Sequence, residues 1–247
     1  MAEQAHPALP DRDRLARLAE LQAAFLASAE RADPATKVPS CGRWDVRQLV
    51  VHLARIHHWA AAQAERRQEV PLGRGPFDLP ALYAACAAEL REALARLDPD
   101  ARAWTLLDDG IPRAEQTGTV AFWHRRQLLE TLVHLWDLRI ATGEGCAGDD
   151  ADWLDCLDEV VGTMHPRQVR LGRAPAPEAR VTLAPEDVDG TWTLQGAPAD
   201  APEVVVRGPV RSLALLAWGR ASLDDAALDV DGDRALAAAE LARGLTP

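Results

Sequence analysis

The sequence lacks several features that would assign it to a specialised class of protein. Its four cysteines, Cys41, Cys86, Cys146 and Cys156, are too scattered for a zinc knuckle, a redox CxxC pair or a disulfide framework. We therefore expect reduced thiols that serve as small hydrophobic side chains. No apolar run approaches the roughly 20 residues that a membrane span needs. The charged N-terminal segment has no apolar stretch typical of a signal peptide, which predicts a cytoplasmic protein.

Basic residues are outnumbered by acidic ones, 27 against 38. Lys37 is the only lysine, and the net charge is −11. Nucleic acids and anionic membranes both attract basic surfaces, so this charge argues against either as a partner. With 247 residues, of which 48% are hydrophobic, the chain can form one large domain or two small ones. We expect a monomer or weak dimer that acts on small molecules.

Up to about residue 164, the hydrophobic pattern is helical. Apolar residues recur there at spacings of three and four, which is typical of amphipathic helices. Predicted helices cover residues 12–32, 45–68, 79–97, 119–142 and 150–164. Asp45 and Gln48 form a capping-box pattern at the start of the second helix, and Gly143 is a suitable C-cap for the fourth. Long helices with short connections indicate a helical bundle over residues 1–164.

After residue 164 the pattern changes to that of a small α+β domain, residues 165–247. Pro166 and the run RAPAPEA predict a linker. Segments rich in Val, Thr and Trp predict strands at 180–183, 191–194 and 203–207, with 227–230 as a further candidate. Residues 212–220 and 234–244 have helical patterns. The predicted fold class is therefore α+β.

Three polar side chains are predicted to point into the bundle. His52 lies on the apolar face of the second helix, in QLVVHLARI. Glu130 and His134 stand four residues apart, so they share one face of the fourth helix. One interpretation is a Glu–His hydrogen bond beside a satisfied core histidine. The other is a metal site of two histidines and one carboxylate, a set that suits zinc and also iron(II).

Two residues near this trio, Arg126 and Asp137, each have two interpretations. Arg126, four residues before Glu130, could bind a substrate carboxylate or form an ion pair with Glu130. Asp137, three residues after His134, could accept the free ring N–H of a metal-bound histidine or remain exposed. Two other histidines of the second helix are predicted to lie at its rim or surface: His57 and His58.

Two segments of the sequence carry recognisable signatures. In VPSCGRWDVRQLVVHLARIHHWAAA, a V-P-x-C-x-x-W turn precedes a helix with an inward histidine, and FWHRRQLLETLVHLWDLRIATG contains W-x-R-R-x-x-x-E-x-x-x-H-x-x-D. Both segments, in this order and separation, resemble the mycothiol-dependent maleylpyruvate isomerase family. The resemblance implies a DinB-like four-helix metal-binding bundle followed by a small sterol-carrier-like α+β domain.

The resemblance also implies a chemistry. According to the resemblance, the zinc ligands are His52, Glu130 and His134. The cosubstrate is mycothiol, a low-molecular-weight thiol of actinobacteria. Zinc stabilises a thiolate over a thiol. The implied activity is that of an isomerase or S-transferase acting on a small electrophile. Arg220, in a W-G-R turn, is implied to bind a carboxylate of the substrate or thiol at the active site.

Several alternatives stay open. The substrate is open because Cys41-Gly42-Arg43-Trp44 stands where the family has C-P-G-W, and Leu129 stands where it often has a histidine. A non-catalytic metal- and ligand-binding module and a metal-assisted hydrolase are other interpretations. Cys41 is the nearest rival nucleophile. It precedes His52 by eleven residues, about 16 Å along a helix axis, so only a chain reversal at Gly42 could bring it close.

Overall fold

Four long helices make up the first part of the structure, a computed structural model that describes residues 13–247. They are α1 (Arg14–Arg31), α2 (Val46–Ala64), α3 (Leu79–Arg96) and α4 (Val120–Thr142). Two short 3₁₀ turns, Pro39–Cys41 and Leu106–Asp108, lie in the connections. Together these elements form a compact unit that ends at Gly148. The predicted start of the first helix at residue 12 lies outside the described residues.

These helices form the predicted four-helix bundle. Both α1 and α2 pack against α3 and α4. Helix α4 is buried on most of its sides, and Trp123, Leu128 and Leu132 are fully buried in it, as expected for a helix enclosed by its neighbours. The polar residues of α4 are therefore enclosed too, and each needs a partner, since an unpaired buried polar group is costly.

The ends of α2 and α4 follow the predicted signals. The Asp45 carboxylate accepts a hydrogen bond from the Gln48 backbone N–H, and the Gln48 side chain accepts one from the Asp45 N–H, each at 3.0 Å. This capping box fixes where α2 begins. Helix α4 ends at Gly143, whose φ of +73° places it in the left-handed region that glycine adopts most readily.

The second part of the structure combines helices with a mixed sheet. Its elements are α5 (Asp150–Glu159), a π turn (Val160–Met164), α6 (His165–Arg170), β1 (Arg180–Pro185), β2 (Trp192–Thr193), β3 (Glu203–Gly208), α7 (Val210–Ala217), β4 (Asp229–Asp231) and α8 (Arg234–Leu241). The strand order is β2-β1-β3-β4. Strands β1 and β3 are parallel, and the two outer pairs are antiparallel. The α+β prediction is confirmed.

The second unit begins at Asp149, before the compositional change at residue 164. Helix α5 packs against α7, so the fifth predicted helix belongs with the sheet. Pro166 does not open a linker. It lies in the first turn of α6, directly after the π turn, where a backbone N–H is not required. None of the described helices is long and apolar enough to cross a membrane.

Candidate metal centre

The three predicted ligands converge where α2 packs against α4. The Glu130 Oε1 atom lies 3.4 Å from Nε2 of His52 and 3.3 Å from Nε2 of His134. All three atoms lie within 4.8 Å of one another. We call His52, Glu130 and His134 the candidate metal centre. Helix geometry places two of its members on adjacent turns of α4, and helix packing supplies the third.

The separations between these atoms fit a shared ion. Good N–H···O hydrogen bonds span about 2.7–3.2 Å, so both N···O distances are long for direct bonds. Two atoms bound to zinc at about 2.0–2.1 Å with tetrahedral angles lie about 3.3–3.4 Å apart, which matches the observed spacing. Within residues 13–247, no fourth histidine, cysteine or acidic side chain joins this set. Three protein ligands are what catalytic zinc sites provide, with one position left for a small molecule.

The electrostatics of the centre favour a positive charge between its side chains. Burial alone would raise the pKa of Glu130, but the Arg126 charge and the polar contacts with the His134 and His52 rings hold it well below its usual range. Burial alone would lower the pKa of His134, yet hydrogen bonds with Asp137 and other neighbours raise it well above its usual value. The ionised carboxylate thus attracts positive charge, either a protonated His134 ring or a metal ion.

Two side chains of α4 hold the centre in place. Nδ1 of His134 lies 2.9 Å from Oδ2 of the fully buried Asp137, so of the two interpretations of Asp137 the pairing is the one observed. This hydrogen bond directs Nε2 of His134 toward Glu130, as carboxylate partners do for metal-bound histidines. Arg126, whose side chain is 4% exposed, donates from Nη2 to Glu130 Oε2. Of the two interpretations of Arg126, the structure shows the ion pair with Glu130.

Cys41 reaches the periphery of the centre through the chain reversal at Gly42. The φ of Gly42 is +65°, and this left-handed residue follows the 3₁₀ turn that carries Cys41. The reversal places Cys41 Sγ 3.3 Å from Asp137 Oδ2. Sequence spacing alone leaves Cys41 remote from the site. In the folded chain it contacts the carboxylate that orients His134.

The surface prediction for the neighbouring histidines is wrong. His57 is fully buried, with Nδ1 2.8 Å from Oε1 of Gln127. His58 is 6% exposed, because Glu89 on α3 and the Val70 carbonyl enclose it at 2.6 and 2.7 Å. Helix α2 is covered on two sides, by α3 and by α4, and single-face periodicity does not reveal the second covering.

Arg220 belongs to the other compact unit. It follows Gly219, whose φ is +69°, just after α7 ends. Its Nη1 donates to the Trp218 carbonyl at 2.9 Å, and its guanidinium carbon lies 5.6 Å from the centroid of the Trp218 ring. The structure thus brings Arg126 to the candidate metal centre, while the role of Arg220 toward a substrate stays a prediction.

Sequence reasoning missed a cavity of about 620 Å³ beside the centre. We call it the arginine cleft. Its lining residues are Trp44, Arg47, Gln48, Val51, His52, Arg55, Ile56, Arg74, Gly75, Pro76, Phe77 and Leu79. Six of them, from Arg47 to Ile56, recur every three or four positions and form one face of α2, and that spacing is the signal that could have found them. His52, the most exposed of the three predicted ligands at 30%, forms part of the wall.

Comparison with known proteins places both units in one family. Residues 15–139 match the family model described as mycothiol maleylpyruvate isomerase N-terminal domain. Residues 152–239 match the model described as MDMPI C-terminal domain. Among curated proteins, no sequence matches this chain.

Two solved structures resemble the whole fold. One is a crystal structure of the mycothiol-dependent maleylpyruvate isomerase, with a TM-score of 0.63 and 15% identity. The other is a histidine-to-alanine mutant of that isomerase, with a TM-score of 0.66 and 14% identity. Each match covers 89% of this chain and 92% of the other. These likenesses show the fold, and the two family models span most of the sequence. The chain is therefore an enzyme that belongs to the mycothiol-dependent maleylpyruvate isomerase family.

Proposed function

We propose that this enzyme binds zinc, or another divalent ion, through His52, Glu130 and His134. With mycothiol as its thiol, it would act on a small electrophile by isomerisation or S-transfer. Membership of the family supports a mycothiol-using isomerase. The observation that carries the metal proposal is the convergence of three donor atoms within 4.8 Å of one another, with both N···O separations at the spacing of atoms bound to one tetrahedral ion.

A bound divalent ion would stabilise the thiolate form of mycothiol over the thiol. The surrounding residues prepare the site for it. Arg126 keeps Glu130 ionised, and Asp137 orients the ring of His134. Trp44 packs against the His52 ring with centroids 4.8 Å apart, which restrains the more exposed histidine.

The reaction then depends on the fate of the carbon–sulfur bond. The thiolate would add to one carbon of a conjugated double bond in the substrate. If the thiolate leaves again after rotation about that carbon–carbon bond, the net reaction is isomerisation. If the carbon–sulfur bond is kept, the net reaction is S-transfer. Family membership argues against the non-catalytic alternative. A metal-assisted hydrolase would need a general base beside the ion, and the carboxylate next to His134, that of Asp137, is fully buried and already paired with that ring.

Metal analysis of the purified protein tests the proposal. We expect about one divalent ion per chain in the wild type, and loss of that ion in His52→Ala and His134→Ala. His124→Ala, a histidine change on the same helix as His134, is the matched control and should retain the metal. Equal metal content in all four proteins would contradict the ligand assignment.

Activity measurements test the thiol. The metal-loaded enzyme should turn over electrophiles, beginning with maleylpyruvate, only when mycothiol is added. Product analysis separates an isomerised acid from a stable thioether adduct. Full turnover without any added thiol would refute this part of the proposal, whatever the metal content.

A further inference from the structure

The arginine cleft carries three guanidinium groups. Arg47 and Arg55 project from α2, and Arg74 lies in the segment that leads to α3. Arg55 Nη2 donates to the Gly73 carbonyl at 3.1 Å, so this segment is fastened across the face of α2. The cleft is therefore built from one helix and a loop that is attached to it.

The charge of the cleft is entirely positive. Its lining includes no aspartate or glutamate. Within residues 13–247, no carboxylate forms an ion pair with Arg47, Arg55 or Arg74, and all three are exposed. Three uncompensated arginines on one concave surface are unusual in a chain with a net charge of −11. A concave positive surface concentrates small anions, and the guanidinium fork matches a planar carboxylate.

The cleft reaches the candidate metal centre at one residue, His52. His52 forms part of its wall, and Nε2 of the same ring lies 3.4 Å from Glu130 Oε1. A volume of about 620 Å³ falls within the range of about 300–1,000 Å³ typical of small-molecule sites. The lining also contains the apolar side chains of Val51, Ile56 and Phe77, which suit the short carbon chain of a small substrate.

We propose that Arg47, Arg55 and Arg74 form a carboxylate-binding subsite that holds the anionic end of the electrophilic substrate beside His52. The identity of the ligand as the substrate rests on the proposed function. Arg47 and Arg74 bind the carboxylate, and Arg55 keeps the loop closed over α2. Neutral electrophiles of the same size are poor ligands, because they leave the arginines without a counter-charge.

Calorimetric titration with succinate tests the subsite without any turnover. Succinate is a small dicarboxylate with no double bond, so it cannot accept a thiol. The double variant Arg47→Gln/Arg74→Gln of the metal-loaded protein should bind it at least ~10-fold more weakly than the wild type. Succinamide, the neutral analogue, should bind both proteins equally weakly. Arg113→Gln, an exposed arginine outside the cleft, is the matched control and should bind succinate like the wild type.

The single variants Arg47→Gln and Arg74→Gln show whether the loss of affinity comes from an effect on folding. Each changes one exposed side chain, so thermal unfolding and metal content should match those of the wild type, while succinate affinity falls in each. Equal succinate affinity in the wild type, the double variant and Arg113→Gln would overturn the proposal. Because binding is measured directly, failure of thiol-dependent turnover would refute the proposed function and leave the subsite standing.

Steady-state kinetics identify which reactant the subsite holds. In the double variant, KM for the anionic electrophile should rise at least ~10-fold while KM for mycothiol stays unchanged. A rise confined to mycothiol would overturn the assignment to the electrophile. Arg47→Lys/Arg74→Lys keeps the charge and removes the fork, so its KM should lie between those of the wild type and the glutamine variant.

Discussion

Two clusters of histidine, glutamate and arginine lie along α2, and they differ in how many of their hydrogen-bonding groups find partners within the cluster. In the outer cluster, His58 Nδ1 lies 2.6 Å from Glu89 Oε2, and His58 Nε2 lies 2.7 Å from the Val70 carbonyl. Arg67 pairs with Glu89 as well. Both ring nitrogens are engaged at ordinary hydrogen-bond distances, so no donor or acceptor of the ring is left for a ligand.

The candidate metal centre uses the same residue types in an open arrangement. Nε2 of His52 and Nε2 of His134 lie 3.4 and 3.3 Å from Glu130 Oε1, too far for good hydrogen bonds. Glu130 is 13% exposed, whereas the carboxylate of Glu89 is 34% exposed. Residue type alone does not distinguish the two clusters. The distances do, because a closed network stabilises a loop and an open one can receive an ion.

The matched pair Glu130→Gln and Glu89→Gln tests this comparison with the largest expected effect. Loss of a metal ligand should reduce metal content and lower mycothiol-dependent kcat/KM more than about 100-fold in Glu130→Gln. Glu89→Gln should retain the metal and keep kcat/KM within about twofold, since partly exposed ion pairs contribute little. Similar losses in the two variants would show that the clusters do not differ in function.

Asp137→Asn sharpens the comparison at the buried end of the centre. The amide oxygen can still accept from Nδ1 of His134, but the negative charge that strengthens this bond is lost. We expect metal affinity to fall about 10–100-fold, measured by competition with a chelator. The exposed Asp98→Asn should change nothing. Unchanged affinity in Asp137→Asn would mean that Asp137 does not orient a ligand.

The convergence of His52, Glu130 and His134 was predictable because it depends on local geometry. The spacing of Glu130 and His134 fixes their common face, and the apolar neighbours of His52 fix its inward direction. Cys41 was not predictable, since its position depends on the φ of one glycine. The α2 face of the arginine cleft has a helical spacing that sequence can reveal, but the cleft itself was not predictable, because it also needs residues 74–79 to fold across α2.

Most helices and strands were predictable within a few residues, except α6, which occupies a segment predicted as a linker. The division between units was not predictable. Periodicity and caps report which segment is helical, but not which partner buries its apolar face. Helix α5 shows the difference, since its own pattern is helical and only its packing against α7 assigns it to the second unit. Helix α2 ends at Ala64 instead of residue 68, and Arg66 there has a left-handed φ of +57°.

Two adjacent histidines should respond to pH in opposite directions. Burial lowers the pKa of His57 from 6.5 to about 4, so the unfolded chain takes up a proton first. The stability associated with His57 is therefore lost as pH falls from about 6.5 to about 4, by at most roughly 3 kcal/mol. Burial alone would lower the pKa of His58, but hydrogen bonds with Glu89 and Val70 raise it. The stability associated with His58 is present below pH 6.5 and lost as pH rises through the raised pKa.

Thermal unfolding across pH separates these contributions. His57→Gln should flatten the loss of Tm on the acid side, and His58→Gln should flatten the smaller loss above neutrality. The metal should be removed from all samples with a chelator, so that changes at the candidate metal centre affect each variant equally. Parallel Tm profiles for the wild type and both variants would refute the opposed responses.

The smallest effect is expected at Cys41, and it tests whether the candidate metal centre or an internal thiol performs the chemistry. The Cys41 thiol donates to Asp137 Oδ2 at 3.3 Å, and a serine hydroxyl can donate in the same position. Cys41→Ser should therefore keep mycothiol-dependent kcat/KM within about threefold, while Cys41→Ala, which removes the donor, should lower it about 2–10-fold. If Cys41 were itself the nucleophile, both variants would lose all turnover, retain their metal and show no rescue by mycothiol. Activity and metal content measured on the two variants separate these cases, because a hydrogen-bond donor can be replaced by serine and a thiolate nucleophile cannot.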